Sequence, residues 1–142
     1  MKVSAKTDYA CKALLELSLH WPNPGPLRVN EIAVRQNIPM KFLIHILISL
    51  KQLGVVQSIR GNQGGYILAK APQEIKLGEV VNNFTETRTS MKTLPKKLKK
   101  SDVMESIWQE AESNILDILN NISFEEISQR YRHLEKIPMY TI

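Results

Sequence analysis

The sequence predicts a mainly α-helical fold with one small β-hairpin, in which a winged helix-turn-helix precedes a long C-terminal helix. Apolar residues recur at helical spacing in several segments separated by proline or glycine, and two short β-prone runs flank a glycine-rich loop. A chain of 142 residues suits one domain, or a small domain with an added dimerisation element. We divide it into a winged helix-turn-helix region at 1–84, a basic loop at 85–100 and a helical dimerisation region at 101–142.

The first half predicts three helices. Thr7 is a candidate cap for the first helix, whose amphipathic pattern ends at Pro22. A second, short helix follows the candidate cap Asn30 and ends near Gln36. After a tight turn, a third helix extends to Gly54, a typical stop signal, with Lys41 to Gly54 as the recognition helix of a helix-turn-helix.

A β-hairpin and one further helix follow. Val55 to Ile59 and Tyr66 to Leu68 are predicted strands, with Arg60 to Gly65 as the loop, or wing, between them. Apolar spacing from Leu77 to Phe84 then predicts a short helix that begins near Lys76. The basic loop after it has no apolar period, and its lysines at 92, 96, 97, 99 and 100 predict a mobile, solvated segment.

The C-terminal region predicts a long helix capped by Ser101 and a last helix capped by Ser123 with Glu126, which ends near Leu134 before Pro138. The long helix is expected to continue through Ile122. Its apolar stripe needs a covering surface, which predicts a homodimer interface. The stripe consists of Val103, Ile107, Ala111, Ile115, Ile118 and Ile122.

Charge is distributed unevenly along the chain. Residues 1–83 hold ten basic and five acidic side chains, residues 84–100 hold six and one, and residues 101–142 hold three and eight. A basic front and an acidic back favour a nucleic-acid module joined to a helical part that faces away from the polyanion. The absence of a long apolar stretch or a secretion signal predicts a cytoplasmic protein.

The recognition helix carries candidate DNA contacts. With Phe42, Ile46 and Leu50 turned inward, another face presents Lys41, His45 and Ser49 to base edges or phosphates. As an alternative, these three are ordinary surface residues. Ile44 and Ile48 also fall toward the exposed side, and they either pack on the second helix or, if exposed, contact a thymine methyl.

The wing and the N-terminus carry the other candidates. Glycines allow the wing to approach DNA closely, and Arg60 suits the narrow minor groove, although a plain hairpin turn explains the same glycines. Near the first helix, Ser4, Lys6 and Tyr9 are candidates for phosphate contact, with capping and packing as the alternative. The wing set is Ser58, Arg60, Gly61, Asn62, Gln63 and Gly64.

Five short segments follow one another in a recognisable order: Met1-Lys2-Val3-Ser4, Glu31-Ile32-Ala33, Ser58-Ile59-Arg60-Gly61, Gly64-Gly65-Tyr66 and Leu77-Gly78-Glu79-Val80-Val81. In this order they resemble the Rrf2 family of bacterial regulators, which includes the IscR, NsrR and CymR types. The resemblance implies a homodimer whose long helices cross and whose two winged heads read a palindromic operator. It also implies base contacts at Lys41 and His45 and wing contacts at Ser58, Arg60 and Gly61.

One feature departs from that family. Many members hold an iron-sulfur cluster on three loop cysteines, whereas the single cysteine here, Cys11, lies in the first helix. We therefore expect no cofactor and no metal site, with Asp8 in a local charge pair and Cys11 as a small packed residue. A cluster on Cys11, Asp8 and His20 is the conceivable exception.

The sequence thus predicts a transcription regulator that lacks an iron-sulfur cluster and binds double-stranded DNA. We expect it to act as a repressor. Two alternatives stay open: control by a partner protein or a small metabolite, and a winged-helix module for RNA or protein contacts. No grouping of catalytic residues or phosphate-binding loop is present in the sequence, so we expect no enzyme.

Overall fold

The computed structural model describes residues 3–85 and 96–136, so Lys92 and Pro138 lie outside the described residues. The described chain is mainly helical with one two-stranded antiparallel sheet, which confirms the predicted fold class. The helices are α1 Ala5–His20, α2 Val29–Gln36, α3 Met40–Leu53, α4 Leu77–Phe84, α5 Val103–Asn120 and α6 Phe124–Glu135. The strands are β1 Val56–Ile59 and β2 Gly65–Leu68.

Ser4, and not Thr7, caps α1. The Ser4 hydroxyl accepts a hydrogen bond from the Thr7 backbone N–H at 3.2 Å, and the two hydroxyl oxygens are 2.9 Å apart. Thr7 itself is buried in the first turn. The predicted cap was therefore wrong by three residues, because both side chains can cap a helix and burial of Thr7 selects the exposed serine.

The helix-turn-helix forms as predicted, with a shifted start to α2. Asn30 lies inside α2, whose N-cap is Arg28 without a side-chain cap, so the predicted cap was wrong. Asn37 ends α2 in the left-handed conformation with φ 52°, and Gly54 ends α3 in the same way with φ 84°. Asparagine and glycine tolerate this conformation best, which explains the tight turn and the sharp end of α3.

The hairpin is anchored to the residue pair that precedes α2. Val56 pairs with Leu68 and Ile59 with Gly65 in the antiparallel register. Leu27 adds an isolated bridge on the far side of β2: its N–H donates to the Tyr66 carbonyl at 3.0 Å, and the Tyr66 N–H donates to the Leu27 carbonyl at 2.8 Å. The wing is thereby joined to the start of the helix-turn-helix.

The C-terminal helices differ in how they pack. Phe124 of α6 is fully buried in the same core as Leu14 of α1 and Leu47 of α3. The predicted cap at Ser123 is confirmed, since its hydroxyl accepts from the Glu126 N–H at 3.2 Å. The chain between α5 and α6 is tied to α4 by the Leu77 N–H, which donates to the Ile122 carbonyl at 2.8 Å. Thus α6 belongs to the core, whereas α5 has no buried residue.

Two expectations about α5 were wrong. Ser101 does not cap it but lies in a short 3-10 turn, Lys100–Asp102, where Asp102 accepts a hydrogen bond from the Lys99 N–H at 3.0 Å. The helix ends at Asn120, so Ile122 lies beyond it. The Ile122 carbonyl instead accepts the hydrogen bond from the Leu77 N–H of α4. Among the described residues, no helix is both long enough and apolar enough to cross a membrane.

Candidate nucleic-acid interface

The outward face of α3 is free of acidic side chains. Leu43, Ile46, Leu47 and Leu50 are buried, so the helical repeat turns the opposite face to solvent. Lys41, Ile44, His45, Ile48 and Gln52 lie on that opposite face and are exposed. Gln52 was missed in the sequence, although its spacing of four from Ile48 places it on this face. The α3 sequence contains no Asp or Glu, which suits contact with a polyanion.

Phe42 is not an inward residue of α3, contrary to prediction. Its side chain is 47% exposed, and its ring stacks on that of Tyr9 with centroids 6.3 Å apart. The Lys41 ammonium lies 5.0 Å from the centroid of the Phe42 ring, a cation-π contact. Tyr9, Phe42 and Lys41 therefore form a continuous row from α1 to the start of α3.

Ile44 and Ile48 are each 45% exposed, so of the two alternatives left open by the sequence, the structure favours the exposed one. Two large aliphatic side chains one helical turn apart thus lie on the polar side of α3. The reason is that the four buried positions of α3 already fill its inward face.

The polar residues near the end of α3 are partly engaged within the chain. The half-buried Ser49 hydroxyl donates to the His45 carbonyl at 3.2 Å. The Lys51 ammonium donates to the Ser58 hydroxyl at 2.9 Å, which links α3 to β1. Lys51 was missed in the sequence, and its position in the last turn of a candidate recognition helix was the available signal.

The wing exposes one arginine and two amides. Arg60, Asn62 and Gln63 are exposed, and Gly61 has φ 122°, a conformation that L side chains rarely adopt. The Gly64 N–H donates to the Gly61 carbonyl at 3.0 Å and closes the loop. Gly61 thus provides the positive φ that the hairpin turn needs, which agrees with the alternative explanation of these glycines as turn residues. The Arg60 side chain remains exposed at the edge of the wing.

Arg28 connects the wing to the helix-turn-helix. Its guanidinium donates to the Asn62 carbonyl at 3.1 Å, across 34 residues of sequence. Together with Lys51 and the Leu27 bridge, this contact joins the wing to α2 and α3. Arg28 was missed because it precedes α2, and nothing local to it indicates a wing contact.

The N-terminal candidates make local contacts of their own. Ser4 is occupied in capping α1, as the alternative interpretation stated. The exposed Lys6 has its ammonium 5.8 Å from the Phe84 ring centroid, and Tyr9 stacks on Phe42. These positions leave Lys6 and the Tyr9 hydroxyl as candidates for phosphate contact beside α3.

One face of α5 is strongly apolar and exposed. Trp108 is 58% exposed and Ile118 is 62% exposed. Contiguous exposed apolar surface is a feature of interaction sites. Ala111 is also exposed, whereas Ile115 and Ile122 are half-buried. The other exposed apolar residues of this face are Val103, Met104 and Ile107.

The comparisons with known proteins agree with this architecture. A family model described as an iron-dependent transcriptional regulator, Rrf2, matches residues 3–130, and the chain belongs to this family. It is 36% identical over 132 residues to an HTH-type transcriptional regulator of Synechocystis, covering 89% of this chain and 87% of that one. It is 31% identical over 130 residues to the transcriptional regulator IscR of Pectobacterium carotovorum, covering 89% and 79%.

A solved structure extends the agreement to three dimensions. The structure of IscR from T. potens superposes with a TM-score of 0.81 at 28% identity, covering 99% of this chain and 95% of that one. Membership of a family of transcriptional regulators confirms the predicted class of protein. The chain is a winged helix-turn-helix transcription regulator of the Rrf2 family.

The residues present do not fit an iron-sulfur cluster. Cys11 is the single cysteine of the sequence, and burial, with a smaller contribution from the Asp8 carboxylate, raises the pKa of its thiol to about 12. Asp8 is paired with Lys12 at 2.9 Å, and the His20 ring contacts the Gly25 carbonyl at 2.8 Å. In the described part of the chain, no three His, Cys, Asp or Glu residues are grouped to hold a metal ion. Clusters need thiolates, which this donor set does not supply.

Proposed function

We propose that this chain binds operator DNA with α3 in the major groove and the wing in the adjacent minor groove. The observation that carries the proposal is the acid-free outward face of α3 beside an exposed Arg60, joined through the Lys51–Ser58 and Arg28–Asn62 hydrogen bonds. A recognition helix with cations at its edge can meet both base edges and phosphates. Arginine suits the narrow, negative minor groove.

We further propose that the protein acts as a cytoplasmic homodimer. The exposed apolar face of α5 supports this, since a second copy covers it by pairing the same residues around a two-fold axis. Two heads related by that axis read a palindromic operator, and occupancy of the operator represses transcription. Residues 1–84 then read DNA, residues 101–142 provide the dimer contacts, and residues 85–100 add lysines between them.

We also propose that no iron-sulfur cluster controls the DNA binding of this regulator. The donor chemistry around Cys11 supports that reading, because the thiol is held in its protonated form.

The wing provides the sharpest test. A duplex is first selected from a random library with the purified protein, and its affinity is measured by fluorescence anisotropy. Arg60→Ala is expected to weaken binding by about 1–3 kcal/mol, because the variant removes a cation from the groove.

Arg130→Ala is the matched control, since it removes the same charge from α6, where Arg130 pairs with Glu126 at 2.9 Å. Its affinity should equal that of the unmodified protein. If the Arg60 variant binds as tightly as the unmodified protein, the wing is not part of the DNA interface. If both variants lose the same affinity, Arg60 acts only through the net charge of the protein.

A further inference from the structure

We propose that Ile44 and Ile48 read thymine. Their side chains contact thymine 5-methyl groups in the major groove, so that each operator half-site carries thymines at two contacted positions. The inference rests on the proposed function, because it requires α3 to enter the major groove. It identifies thymine as the base that the apolar part of the α3 face contacts, and it therefore predicts a feature of the operator sequence.

The position of the two isoleucines suits this role. Both are exposed, and they are four residues apart on one face, within the first three turns of α3. Residues at the N-terminal part of a recognition helix are those that reach base edges. Four residues correspond to a rise of about 6 Å along the helix, and stacked bases are about 3.4 Å apart. The two contacted thymines are therefore about two base steps apart.

Few polar side chains on this surface are free to read bases by hydrogen bonding. The Ser49 hydroxyl donates to the His45 carbonyl, and the Lys51 ammonium donates to Ser58. The α3 sequence contains no Arg, Asn, Asp or Glu, and its remaining specific readers of guanine or adenine are Lys41, Lys51 and Gln52. The Lys41 ammonium lies 5.0 Å from the centroid of the Phe42 ring, and Gln52 lies in the last turn. The thymine methyl is the major-groove feature that apolar side chains recognise.

Charge favours DNA over a protein as the occupant of this face. The isoleucines are flanked by Lys41 and His45, and no carboxylate is present on α3. An apolar strip bordered by a lysine and a histidine, with no carboxylate beside it, matches a groove in which methyl groups lie between two phosphate backbones.

Deoxyuridine tests the inference directly, because it pairs as thymine does and lacks only the 5-methyl group. In the selected duplex, each thymine is replaced in turn and the dissociation constant is measured by fluorescence anisotropy. Loss of one contacted methyl should weaken binding about four-fold, the change expected for exposing one methyl-sized apolar group. Thymines that are not contacted should show no change.

Variants assign each methyl to its side chain. With Ile48→Ala, the thymine-to-deoxyuridine difference should vanish at one position, and with Ile44→Ala at another about two steps away. Val34→Ala is the matched control, because Val34 is an exposed aliphatic residue of α2 and should leave every methyl effect intact. All three side chains are exposed, and thermal unfolding of each variant checks that the fold is retained.

The outcomes separate this inference from the proposed function. A duplex that binds tightly but is indifferent to every methyl overturns the thymine contacts and leaves the DNA-binding role standing. Methyl effects that persist in both isoleucine variants, with altered self-association in sedimentation velocity, make this face a protein contact and also overturn the inference. Failure of the selection to enrich any duplex contradicts the proposed function itself.

Discussion

Gly65→Ala should weaken both the fold and the wing. A Cβ atom at Gly65 would overlap the Leu27 carbonyl oxygen and lie 3.0 Å from the Arg28 backbone nitrogen, and neither backbone group can move without breaking the Leu27–Tyr66 bridge. Two backbone hydrogen bonds contribute about 1–3 kcal/mol together. Alanine recovers about 0.4–1 kcal/mol by restricting the unfolded chain. The midpoints of these two ranges, about 2 and about 0.7 kcal/mol, leave a net loss of about 1.3 kcal/mol in the free energy of unfolding.

Urea denaturation followed by circular dichroism measures this loss. Gly25→Ala is the matched control, because its Cβ would meet only the Asn23 side-chain oxygen at 3.7 Å, an ordinary van der Waals contact. The control should match or slightly exceed the unmodified protein in stability. A Gly65 variant as stable as the Gly25 variant would refute the reasoning, since it would show that the bridge does not restrain the wing.

Three further predictions follow from the apolar face of α5, the half-buried Cys11 thiol and the donor chemistry. Ile118→Asp should shift the protein from dimer to monomer in sedimentation velocity, because it places a charge in the apolar face of α5. The control Ser113→Asp lies on another face of the helix and should leave the dimer intact. An unchanged dimer in both variants would show that this face is not the dimer interface. Cys11 should react slowly with a disulfide reagent in the folded protein and fast in urea. Because its pKa rises from 9.0 to about 12, only the unfolded state loses the proton between these values, so stability falls as pH rises through that window. Rapid labelling of the folded protein would contradict a thiol that is packed against the core and held protonated. Protein purified without oxygen should be colourless and still bind its duplex, and a brown preparation containing iron and sulfide would show that the donor argument fails.

Helix periodicity predicted the elements well and their ends poorly. The third helix, the hairpin and the last helix were all placed correctly, because spacing of apolar residues and stop signals are local properties. Ser4 and Thr7 can both cap a helix, and the choice between them depends on which one the core buries. Asn30 lost its predicted role for a similar reason, since the bridge at Leu27 sets where α2 begins.

The sequence predicted individual residues of the candidate site but not the hydrogen bonds and ring contacts that join them. Lys41, His45 and Arg60 are exposed as expected, which follows from polarity and turn chemistry. Phe42 was misplaced because it lies at the edge of the apolar stripe, where its neighbour Tyr9 decides its direction. Arg28 escaped notice because its partner is 34 residues away.

The sequence by itself determined the winged helix-turn-helix, the apolar α5 and the lack of thiolates for a cluster, because these depend on spacing and residue type. Only the tertiary structure decided that Ile44 and Ile48 face solvent and that Arg28 and Lys51 hold the wing. The physical reason is that α3 carries more apolar residues than the core can accept. Which of them remain outside depends on the volume left by α1, α2 and α6, a property of the packed chain and not of any one segment.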